Sequence, residues 1–83
     1  MAPVNEGPCQ MMRRLAKEQR AEIGRTEKRV DELRTKIDAL QAQPAPDAAA
    51  IAALRQAVET LEKKVEDDRL SLSTLEDVIT ENC

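Results

Sequence analysis

The sequence contains no Phe, Tyr, Trp or His, and only two glycines and two cysteines among 83 residues. Without aromatic rings the chain lacks the side chains that bury about 150–250 Å² each and dominate compact cores. Without histidine it lacks the commonest general acid–base and the commonest metal ligand. No Gly-rich phosphate loop, nucleophile elbow or Cys/His metal spacing is present, so no catalytic, metal or cofactor residue is assigned. A run of about 18 apolar residues, which a membrane-spanning helix needs, is also missing. The start, Met1-Ala2-Pro3-Val4-Asn5-Glu6-Gly7-Pro8, has neither the basic nor the apolar stretch of a signal peptide. These absences predict a soluble chain without membrane insertion, cytoplasmic by default.

What is there is Ala, Leu, Val, Ile and charge. Thirteen Lys and Arg stand against sixteen Asp and Glu, for a net charge of −3. That balance does not favour nucleic acid or an anionic membrane. An Ala/Glu/Lys/Leu/Arg bias is the composition of a coiled coil.

Proline punctuates the chain. Residues 1–7 are short and polar and read as a flexible N-terminal segment. Pro8 suits a first helical turn, where its missing N–H costs nothing, with Gly7 or Asn5 as cap. A first helix is predicted over about 8–42. Pro44 and Pro46 then stop it, since each removes a donor and forces its predecessor towards extended backbone. Asp47 is placed to cap a second helix over about 48–82, across a turn at about 43–47.

Within the two helices, apolar residues recur by alternating steps of three and four. The first seam runs Met12, Ala16, Gln19, Ile23, Thr26, Val30, Leu33, Ile37, Leu40. The second runs Ile51, Leu54, Val58, Leu61, Val65, Asp68, Leu72, Leu75, Ile79. Folded about the prolines, Leu40 meets Ile51, and each later layer follows out to Met12 with Ile79 and Cys9 with Asn82. The expected fold is therefore an all-α, two-helix antiparallel coiled-coil hairpin. Intermolecular pairing of the same seams is its rival. Over residues 11–40 nine basic and six acidic residues give +3, while over 48–83 four basic and eight acidic residues give −4. In one stagger the flanking positions pair Arg34 with Glu62, Glu27 with Arg69 and Arg20 with Glu76. A closer stagger instead faces Glu27 with Glu62 and Arg20 with Arg69. Exposed pairs of about 0.2–1 kcal/mol do not choose between them.

Four features carry the functional expectations. Gln19, Thr26 and Asp68 are polar layers in the seam, read as a wetted waist in which Asp68 tilts to solvent or meets Arg20 or Arg25, or as a register device or a contact for a partner protein. Met11, Met12, Leu15, Leu75, Val78 and Ile79 crowd the open end, with Leu70 on the outer face. A two-helix seam cannot cover all of these, and so small a core invites oligomerisation, giving a four-helix bundle dimer as the expected assembly. Cys9 and Cys83 meet at the same end, as free thiols, an intramolecular disulfide or a bond between chains. Arg13, Lys17 and Arg20 share a stripe that could touch phosphates, but an acidic second helix and the lack of stacking rings weigh against nucleic acid. The function expected is non-enzymatic protein–protein interaction, as a self-assembling scaffold or adaptor. The runner-up is a small acidic regulator or inhibitor of one larger protein.

Overall fold

The computed structural model describes residues 7–83. The flexible segment expected at the N-terminus falls outside this range except for Gly7. The described residues form two helices and no strand: α1 (Pro8–Gln41) and α2 (Ala48–Asn82). They pack antiparallel into a rod 61 Å long and 14 Å thin.

Each boundary has a local cause. Gly7 is the extended N-cap of α1, Pro8 opens the helix, and the Gly7 carbonyl accepts the Met11 N–H at 2.9 Å. At the other end the Ala42 N–H donates to the Asp38 carbonyl and the Gln43 N–H to that of Leu40, which closes the last turn before Pro44. The Asp47 carboxylate accepts the Ala50 N–H at 3.0 Å and so caps α2.

Every one of the eighteen seam positions read from the repeat is buried or half-buried. Val30, Leu33, Ile37 and Val58 form one cluster next to the turn, with Ile51, Leu54, Ala57 and Leu61 against it. Ala16, Ile23 and Leu72 form a second cluster in the open half, flanked by Val65, Leu75 and Ile79. Between them sits buried Thr26, whose hydroxyl donates to the Glu22 carbonyl one turn earlier at 3.0 Å. That bond satisfies the polar group inside its own helix.

The structure adopts one of the two staggers that the sequence leaves open. Arg34 pairs with Glu62, Arg69 with Glu27, and Arg20 with Glu76 at 2.9 Å. All three bridge the helices along one flank. The closer stagger, which would set Glu27 against Glu62, is not the one adopted.

Candidate interaction surface

The open end is closed covalently. Cys9, one residue into α1, and Cys83, one past α2, form a disulfide with their Cα atoms 5.9 Å apart. Of the three states open to the cysteines, the structure shows the intramolecular bond. The Cys9 sulfur also lies 3.7 Å from the Asn82 carbonyl oxygen, the neighbour that layer counting gives it. The bond spans 74 positions of sequence, so it encloses nearly the whole chain.

Beside it the apolar residues divide into three groups. Met12, Leu75 and Ile79 occupy the seam and are half-buried, with Leu75 and Ile79 packed on the second cluster. Met11, Leu15 and Val78 stand next to them and stay 43%, 43% and 38% exposed. Leu70, 64% exposed, lies two residues from both Asp68 and Leu72 and so points away from the seam. The structure therefore brings six of the seven interface candidates to one end and leaves Leu70 apart.

The polar waist is fully partnered. Gln19 reaches across to donate its Nε2 to the Asp68 carbonyl at 3.3 Å. The Asp68 carboxylate accepts from Lys64 at 2.6 Å, one turn earlier in α2. Of the alternatives expected for it, Asp68 does not meet Arg20 or Arg25, while its side chain stays partly open to solvent. Arg20 is held by Glu76 and Arg25 by Glu22, while Lys64 is already on Asp68's own helix face. No buried side-chain nitrogen or oxygen among the described residues lacks a partner.

Lys64 also reaches Glu22 across the helices at 3.7 Å. The hydrogen bond from Arg25 holds the Glu22 carboxyl below the ordinary carboxylate range, with the charges of Arg25 and Lys64 adding to it. The hydrogen bond to Asp68 raises Lys64 above its ordinary value. Sequence reading passed over this pair because both residues flank the seam. The signal available was their shared heptad position beside it.

Among the described residues no group of three potential ligands is arranged to hold a metal ion, and Glu66, Asp67 and Asp68 diverge around α2 as successive helical residues must. No described helix is long and apolar enough to cross a membrane. The surface is a set of shallow, open grooves between side chains. No protein-family model matches this chain, and neither the curated proteins nor the solved structures contain one significantly similar to it.

Proposed function

We propose that this protein acts through protein–protein contact, as a non-enzymatic coiled-coil hairpin that self-associates into a four-helix dimer and serves as a scaffold or adaptor. The observation that carries this reading is the exposure of Met11, Leu15 and Val78 together at one end of a seam that already holds Met12, Leu75 and Ile79. Single exposed apolar residues are ordinary, but a contiguous group at the end of a thin rod is a contact surface in want of cover. In a rod one helix-layer thick Met12, Leu75 and Ile79 stay only half-buried, and a second pair of helices would cover them further.

Sedimentation equilibrium at tens of micromolar tests this. The reading expects twice the chain mass for the native sequence. It expects a shift towards monomer, with helicity retained, when Leu15→Glu and Val78→Glu are combined. A native chain that stays monomeric contradicts the dimer; an unchanged dimer in the double variant contradicts the patch. The surplus of acid on α2, eight acidic against four basic residues over 48–83, favours the small acidic regulator as the second reading. That reading requires a monomer that binds one larger protein stoichiometrically.

A further inference from the structure

The rod has two unlike flanks. Along one, Arg34–Glu62, Glu27–Arg69 and Arg20–Glu76 bridge the helices at every heptad. Along the other, the single cross-helix ion pair among those described is Lys64–Glu22. On the turn side of that pair lies a shallow groove whose apolar lining is Leu33, Ala53, Leu54, Ala57 and Leu61, with Arg29, Gln56 and Thr60 at its edges. On its other side, at matching heptad positions, come Ser71, Leu75, Val78 and Leu15. The surface therefore runs the length of the rod instead of stopping at the open end.

We infer that this second flank docks against the same flank of another copy of the chain, with the two rods antiparallel and α2 crossing its counterpart in a register centred on Glu66. The inference rests on the self-association proposed above and adds its face and direction. In this register Lys64 meets Asp68 of the second copy, and Glu22 of α1 meets the second copy's Arg29. A two-fold axis repeats each opposite-sign pair, as a self-complementary interface requires. The apolar residues match in size as well: Ala57 faces Leu75, Ala53 faces Ile79 and Leu54 faces Val78. Leu15 lies against the aliphatic stem of Lys36, which can cover apolar surface while its ammonium stays wet.

The opposite alignment, with both turns at the same end, is opposed by charge. It lays α1 of one copy over α2 of the other at equal height. Arg29 and Lys36 then fall on the Ala53–Leu61 groove, and Glu22 falls beside Asp68. Like charges placed together oppose association, and the groove, already edged by Arg29, would gain two further cations. The first flank is a poorer surface, because its groove is lined mainly by charged side chains, Glu27, Asp31, Arg34 and Glu62.

A photoreactive residue at exposed Ala53, in the oxidised full-length chain, tests the register. Equal amounts of ¹⁴N and ¹⁵N protein are mixed, irradiated and mapped by mass spectrometry. The expected product joins position 53 of one isotope to the 75–82 segment of the other. Mixed-isotope products joining position 53 to the turn region of the second copy would overturn the antiparallel register while leaving self-association intact. So would the absence of mixed products in a sample that sediments as a dimer, which would move the contact to another face. A sample that sediments as monomer overturns both this inference and the reading beneath it. As a second measurement, Ala57→Glu should weaken the dimer by about tenfold or more. Arg55→Glu, on the ion-paired flank, should change it by less than about threefold. Equal effects from the two substitutions would contradict the choice of flank.

Discussion

The half of the rod beside the turn and the half beside the termini share one heptad repeat but are held together by different means. Next to the turn, Leu40–Ile51, Ile37–Leu54, Leu33–Val58 and Val30–Leu61 are four consecutive apolar layers, and a two-proline turn with the Asp47 cap closes them. In the open half the layers hold Thr26, Asp68 and Gln19, Ala16 contributes little volume, and Gly24 interrupts the helix surface. There, a cross-helix hydrogen bond and the Cys9–Cys83 disulfide stand in for the missing apolar area. The contrast teaches that a seam can give up packing for specificity where a covalent link limits how far the ends can part.

Removing the disulfide should break this balance most severely. By chain entropy, a bond enclosing a loop of this length contributes about 4–5 kcal/mol. Reduction, or Cys9→Ser with Cys83→Ser, should lower the denaturant-unfolding stability by that order. A loss under about 1 kcal/mol would place the stability of the open half elsewhere. The bond also ties the fold to its surroundings, since disulfides persist where conditions are oxidising. The cytoplasmic default drawn from the missing targeting signals thus fits the reduced chain better than the oxidised one.

Packing should separate the halves next. Leu33→Ala removes a residue 5% exposed from the turn-side cluster and should cost about 3 kcal/mol. Met12→Ala, in a half-buried layer beside the disulfide, should cost about 1 kcal/mol. Comparable losses in equilibrium unfolding would erase the distinction between the halves. Gly24 sharpens it in the other direction. A Cβ added there meets nothing within 4 Å, so the glycine has no packing reason to be present. Gly24→Ala should stabilise the chain by about 1 kcal/mol, read as a higher midpoint in the same unfolding experiment. No gain would mean that the site gives something up when the helix stiffens.

The smallest effect concerns the waist. Glu22 is held below the ordinary carboxylate range by Arg25 and Lys64, so its contribution is present at neutral pH and lost as pH falls through that lowered value. Lys64 has the opposite sign: its contribution is present at neutral pH and lost as pH rises beyond the ordinary lysine range. Both side chains are exposed, which keeps the effect small. Glu22→Gln should therefore lie slightly below the native chain in unfolding midpoint at pH 7 and converge with it as acid protonates Glu22 in the native chain. A gap that widens on acidification would give the pair the wrong sign.

Most of the fold was legible in the sequence because a period of three and four admits one buried face per helix. All eighteen seam residues, the turn at the two prolines and the Asp47 cap follow from that and from proline chemistry. The stagger was not legible. Arg34 finds Glu62 in one alignment and Glu27 finds Glu62 in the other, and the energies of exposed pairs are too similar to decide. The partner of Asp68 escaped notice for a related reason: Lys64 flanks the seam, and the claims of Glu76 on Arg20 across the helices and of Glu22 on Arg25 within α1 are settled only once the helices are placed. The cysteines could be brought together by counting layers, but their oxidation state is a property of surroundings as much as of residues. Function is the least legible part, because a contact surface needs only area and complementarity and leaves no diagnostic spacing behind it.

Amide hydrogen exchange, compared between oxidised and reduced chain, tests the difference between the halves most directly. Reduction should strip protection from residues 9–20 and 72–82 while 30–40 and 51–61 keep most of theirs. Uniform loss along both helices, or no loss at the open end, would contradict it.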